Sequence, residues 1–192
     1  MVAMVVGVVP IHTLWLPILL SAVIVFVASS ILHMVLPFHR SDYKKLPDED
    51  KILAALRPAQ LSPGLYIFPH CTHKDMKSPE IAEKQKQGPV GTMTILPSGP
   101  PNMGKYLATW FVYCLVVGVF TAYLTGRVLV PGTNYLAVFR VAGTVAFMAY
   151  GVGHIVNSIW MGQPWSNTLK HVFDGLVYSL LLAGTFGWLW PR

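Results

Sequence analysis

The sequence predicts an all-α membrane protein: four transmembrane helices, with a cytoplasmic cap of short helices and a β-ribbon between helices one and two. Three observations carry this. Residues 1–39 contain no Asp, Glu, Lys or Arg. Hydrophobic residues make up 54% of the chain and charged ones 11%, with a mean hydropathy of +0.53, which is outside the range of ordinary soluble domains. Finally, the charges that exist are gathered into connecting segments and leave four long apolar runs between them.

The first segment, 1–39, holds helix one from about Leu14 to Leu36, long enough to cross roughly 30 Å of hydrocarbon. Pro17 falls in its first turn, where a missing N–H costs little, and Pro37 stops it. A cleaved signal peptide fits poorly, because the basic residues follow the apolar run. Segment 40–104 is the cap. Within it, Pro47 to Pro58 has acids at its start, a cation at its end and a proline stop, which describes a short helix. Ser78-Pro79-Glu80 opens a second helix that ends near Gly88. Gly64–Pro69 and Val90–Leu96 flank that helix, are rich in strand formers, and could pair as an antiparallel ribbon. Segment 105–192 holds helix two (about Lys105–Arg127), helix three (about Asn134–Met161) and helix four (about Thr168–Trp190). Gly143, Ala146, Gly151 and Gly153 on helix three, with Gly175, Ala183, Gly184 and Gly187 on helix four, mark close helix approaches.

Orientation follows from Lys and Arg. Ten of the fourteen lie between Arg40 and Lys105, and Lys170 marks the turn on the same side. The excess of positive charge on cytoplasmic loops then places both termini outside. Trp15, Trp188 and Trp190 fall near the outer boundary, Trp160 and Trp165 near the inner one, as an aromatic belt requires. The net charge of +6 follows these loops and points to anionic lipid headgroups, with no nucleic acid partner. Cys71 sits in a polar loop and Cys114 in an apolar helix, so no disulfide is expected between them.

Asp174 is the chemical anomaly. Of eight acidic residues it alone lies outside positions 42–83, inside an apparent span, where a carboxylate must be paired, protonated or used. His33, His154 and His171 fall at the same depth as Asp174. His171, Asp174 and Tyr178 share one helical stripe, and His154 and Asn157 lie on another. The inner third of the bundle is therefore expected to hold a polar pocket of His33, His154, Asn157, His171, Asp174 and Tyr178. Three readings compete for it. In the first the polar groups are packing contacts; in the second His33, His154, His171 and Asp174 bind a metal, or His33 and His154 a haem; in the third the pocket passes protons or an ion. A weaker metal candidate is the loop set His70, Cys71, His73 and Met76. No catalytic residue is identified, because no nucleophile-with-base pair and no phosphate-binding glycine loop appears.

Three stretches resemble a group of small bacterial four-helix membrane proteins of about this length and unknown function. They are Leu14–Val23 with Leu36–Lys45, Trp110–Phe120, and the closing Ala183–Arg192. The resemblance implies a multi-pass protein of the bacterial inner membrane and supplies no binding residue. The leading functional reading is non-enzymatic: a homo-oligomer or an accessory subunit of a larger membrane complex. A metal- or haem-binding protein, or a proton or ion conductor, stands as the alternative.

Overall fold

The computed structural model describes residues 8–192; the first seven residues of segment 1–39 lie outside them. The chain divides into two compact units, one formed by residues up to 42 with 102–159 and 163–192, the other by 43–101 with 160–162.

The first unit is a ring of four long helices. After a 3₁₀ turn at Ile11–Leu14, α1 (Trp15–Ser30) packs on α4 (Met103–Val128) and on α7 (Trp165–Trp188). The ring is closed by α5 (Tyr135–Tyr150), which packs on α4 and, along its longest interface, on α7. Leu14, Val25, Cys114, Val138, Leu182 and Phe186 are fully buried between them. Local signals set the ends: Asn102 caps α4 by accepting from the Lys105 N–H at 3.0 Å, and Asn134 caps α5 by accepting from that of Ala137 at 3.0 Å, each satisfying an orphan donor.

Three helical stretches are long and apolar enough to cross a membrane: Ile11–Val35, Met103–Val128 and Tyr135–Trp160. Only 22%, 28% and 28% of their most apolar windows are buried. Val27, Val112, Phe120, Leu136 and Met148 point outward instead, an apolar exterior that water does not tolerate at this extent and lipid does.

Helix three differs from its expected continuous course over 134–161. The α-helix stops at Tyr150, a 3₁₀ turn follows at Val152–His154, and α6 (Ile155–Trp160) resumes. The interruption falls where α7 comes closest. A Cβ on Gly175 would lie 2.4 Å from the Gly151 Cα, so the two backbones touch there and only glycine fits at position 175. The Ser158 and Thr168 hydroxyls, 2.6 Å apart, tie α6 to α7.

The second unit holds α2 (Glu49–Leu56), α3 (Pro79–Gln87) and a two-stranded antiparallel sheet of β1 (Gly64–Phe68) and β2 (Gly91–Ile95), in the register Gly64↔Ile95, Tyr66↔Met93, Phe68↔Gly91. These are the two short helices and the ribbon expected from the turn residues and strand formers. Lys84 pairs with Glu80 at 2.7 Å along the exposed α3, a spacing that supports a helix modestly.

Candidate metal centre

The site begins where the first span ends. Ser29 and Ser30 donate their hydroxyls back to the Phe26 carbonyl at 2.8 and 3.0 Å. The helix then loosens into one π-helical turn, Ile31–Val35, closed by the Leu36 N–H on the Ile31 carbonyl at 3.1 Å. Proline disfavours the α conformation in the residue before it, and Leu36, ahead of Pro37, is extended at φ −81°, ψ 143°. That break ends the span. A 3₁₀ turn, Pro37–His39, then lays the His39 ring on the His33 ring, 4.1 Å between centroids and 6° from parallel.

From α7, Asp174 and His171 meet this turn. The Asp174 Oδ2 is 2.9 Å from His39 Nε2, 3.8 Å from His33 Nε2 and 4.0 Å from His171 Nδ1. One ligand atom from each of His33, His39, His171 and Asp174 falls within 4.8 Å of all the others. Asp174 is 2% exposed. Neither of its carboxyl oxygens has a hydrogen-bond partner among the described residues, nor has His39 Nε2, whose ring is turned so that no hydrogen bond spans the 2.9 Å gap.

The outer contacts fix the imidazole tautomers. His33 Nδ1 lies 3.1 Å from the Ser29 carbonyl. A carbonyl only accepts, so that nitrogen carries a proton, and in the neutral ring Nε2 is left with a lone pair. His39 Nδ1 lies 2.6 Å from Asp42 Oδ2. Burial pushes the Asp42 carboxyl up, but hydrogen bonds from Lys170 and His39, with their charge, outweigh it and hold the group below its ordinary range. Asp42 is therefore an acceptor, and His39 Nδ1 is its donor. Lys170 Nζ donates to Asp42 Oδ1 at 2.6 Å and to Ser41 at 2.8 Å, while Asn167 Nδ2 donates to the Asp42 carbonyl at 2.8 Å. A carboxylate behind a histidine, orienting its other nitrogen forward, is the arrangement that serves metal-bound imidazoles.

Imidazole nitrogens thus face a buried carboxylate, a set that a proton or a metal cation between them makes favourable. A tetrahedral ion with ligand bonds of 2.0–2.1 Å spaces its donors about 3.3 Å apart; the observed 2.9, 3.8 and 4.0 Å bracket that edge.

Of the residues expected in the pocket, His33, His171 and Asp174 come together here. His154 stacks on His171 at 5.0 Å but is outside the ligand set. Tyr178 lines an adjoining cavity of about 410 Å³; Asn157 does not, and its carbonyl instead accepts from the Gln163 N–H at 3.2 Å. The rings of His33, His39, His171 and His154 form one row, at 4.1, 5.7 and 5.0 Å between neighbours. With two imidazoles standing between His33 and His154, a porphyrin does not fit between that pair. The loop set is corrected too. Among the described residues the single metal-suited group excludes His70, Cys71 and His73; Met76 is exposed, and the segment closes on itself through Thr72 donating to Asp75 at 2.6 Å.

His39 and Asp42 were not foreseen. They lie beyond the proline stop, where periodicity says nothing. The usable signal was local: a histidine and an aspartate three residues apart, next to the end of a span that already carried His33.

Fold and site together define a class, a helical membrane protein with a cluster of three histidines around one buried aspartate at one end of its bundle. Comparison with family models, with curated proteins and with solved structures found no match for this chain.

Proposed function

We propose that this chain is an integral membrane protein that binds one divalent first-row transition-metal ion through His33 Nε2, His39 Nε2, His171 Nδ1 and Asp174. The observation that carries it is Asp174: a carboxylate 2% exposed, without a hydrogen-bond partner among the described residues, faced by three imidazole nitrogens. An unpaired charge of that kind costs several kcal/mol, and a metal ion removes the cost. Three nitrogens and one oxygen suit zinc or iron(II) better than calcium or magnesium.

In this reading α7 is the fourth span. Its first half carries Lys170, His171 and Asp174, which lower its hydropathy, while Phe173, Leu176 and Leu180 turn outward. The long segment 40–104 and Lys170 lie on the cytoplasmic side of a bacterial inner membrane, and both termini lie outside. An accessory role in a larger membrane assembly agrees with the same site, since a subunit of this size would contribute the metal centre.

The test is metal content and Co²⁺ titration of the full chain purified in mild detergent. One ion per chain, with a tetrahedral Co²⁺ absorption band that His39→Ala and His171→Ala abolish, supports the reading. A properly folded protein that holds no stoichiometric metal and gives no such band overturns it, and leaves the row of polar groups as helix packing.

A further inference from the structure

The cavity beside the cluster has two kinds of wall. Met34, Met103, Leu107, Trp110 and Tyr113 make one, while His33, His154, His171 and Asp174 make the other, with Tyr150 and Tyr178 between. At about 30 Å³ for a water-sized group, its 410 Å³ admits a dozen or more heavy atoms, within the size range of small-molecule sites.

Its aromatic wall is held in place. Trp110 Nε1 donates to the Ser29 hydroxyl at 2.8 Å, and the Tyr113 hydroxyl donates to the Ala149 carbonyl at 3.0 Å. With their polar ends engaged, these two rings, 5.5 Å apart, present apolar faces. Tyr150 packs edge-on against Tyr113 and Tyr178 at 5.7 Å each. By contrast, the buried hydroxyls of Tyr150 and Tyr178 have no hydrogen-bond partner among the described residues. Tyr178 follows Asp174 by one turn on the same face of α7, so its hydroxyl is a donor beside the cluster.

The rim is apolar and exposed. Met34 is 75% exposed and Met103 58% exposed. They stand at the end of one stretch and the start of another that are each apolar enough to cross a membrane.

We propose that this cavity binds a single-chain amphiphile drawn from the membrane, a fatty acid or an acyl compound with an oxyanion head. The tail lies along Met34, Leu107 and Trp110. The head adds one oxygen to the metal as a fifth ligand, by expansion of the four-coordinate site, and its other oxygen accepts from the Tyr178 hydroxyl. This rests on the metal reading above. The wall chemistry sets the class: a tail is needed to fill the apolar side, and an oxygen donor is the ligand that a metal held by imidazoles and a carboxylate takes when it expands to five-coordinate.

The experiment uses the full chain in lipid nanodiscs, because detergent is itself a single-chain amphiphile. Co²⁺ is loaded first, and its visible band is followed during titration with decanoate and, separately, acetate. The expected result is a shift of the band by both, with decanoate acting at concentrations at least 100-fold lower, corrected for its partition into lipid. Leu107→Trp, which fills the cavity, and Met103→Trp at its rim should each weaken decanoate at least tenfold and leave the Co²⁺ band and the acetate response as they were. Equal potency of the two acids, or no effect of either substitution, overturns the cavity proposal and leaves the metal site standing. Absence of any Co²⁺ band in the folded wild-type chain overturns both.

Discussion

The two ends of the helical bundle solve the same packing problem with opposite results. At the end where the first span begins and α7 finishes, polar groups are used up. The Val9 N–H donates to the Gly126 carbonyl at 3.0 Å, the Gly132 N–H to the Pro191 carbonyl at 2.8 Å, and Trp190 Nε1 to the Val130 carbonyl at 3.0 Å. What is left unpaired towards this side is neutral: the buried hydroxyls of Thr121 and Thr125, at about 1–3 kcal/mol each. At the other end, among the described residues, the unpaired groups include a carboxylate, with His39 Nε2 and the hydroxyls of Tyr150 and Tyr178. Natural folds leave a cost of that size where function needs it, so on the metal reading proposed above the contrast separates an end that packs from an end that binds.

The sharpest way to break that contrast is Asp174→Asn. If the carboxylate is there for a cation, its loss should weaken Co²⁺ binding by more than about a hundredfold, since even outer-shell partners are worth 10–100-fold. The metal-free protein should at the same time become more stable, by about 1–3 kcal/mol, because an uncompensated buried charge is gone. A thermal melt and a Co²⁺ titration read the two effects separately. Loss of stability with metal affinity unchanged would make Asp174 a packing residue and erase the distinction between the ends.

Next in size is a glycine series along the α5–α7 interface. Gly175→Ala places a Cβ 2.4 Å from the Gly151 Cα, a backbone atom that cannot step aside. A cost of about 3 kcal/mol is expected, at the upper end for overpacking. Gly187→Ala meets the Tyr135 ring at 2.7 Å, a side chain that can swing, and should cost about 1 kcal/mol. Gly184→Ala finds its nearest atom, the Tyr135 hydroxyl, at 3.5 Å and should be near neutral. Melting temperatures in one detergent rank the three; a different order would mean that the bundle closes elsewhere.

Much of this architecture was legible in the sequence for physical reasons. Apolar runs free of charge can only be buried or face lipid, and proline and asparagine mark helix ends, so α1, α4 and α7 fall within a few residues of expectation. The grouping of His33, His171 and Asp174 was legible because depth in a bundle follows from helix length. Two things were missed. The break at Gly151 falls where α7 comes closest, at Gly175, and Gly151 and Gly153, read only as close-approach positions, were also the local sign of an interrupted helix. His39 reaches the cluster through a chain reversal after Pro37, and a proline stop says where a helix ends without saying where the chain goes next. Asn157, expected on the polar stripe of His154, lies in α6 after a 3₁₀ turn and does not line the cavity.

Asp42→Asn probes the outer layer of the binding end. Asp42 holds His39 Nδ1 at 2.6 Å and is itself held by Lys170 at 2.6 Å. The amide keeps the shape but loses the charge, and its NH₂ group can occupy the position facing His39. Metal affinity should fall 10–100-fold, with the Co²⁺ band retained. The carboxylate form is the one favoured in the fold, its pKa lying below the ordinary value. Its stabilising contribution is therefore fully present above the unfolded pKa, near 3.8, and is lost only as pH falls through the lower folded value. At neutral pH the variant, and not titration of Asp42, reports on its role.

The smallest effect belongs to the opposite end. Trp190→Phe removes one donor, the indole N–H on the Val130 carbonyl at 3.0 Å, at a residue 6% exposed. The expected cost is about 1 kcal/mol, the net value of one hydrogen bond, with a further small loss from the reduced ring. Co²⁺ affinity should not change, because nothing at this end touches α7 near His171 or Asp174. If metal binding did weaken with Trp190, the ends would be coupled along α7, and the cluster would sense how firmly the far end of the bundle is latched. If it does not, helix packing at one end and ligand binding at the other are separate properties of a single ring of helices.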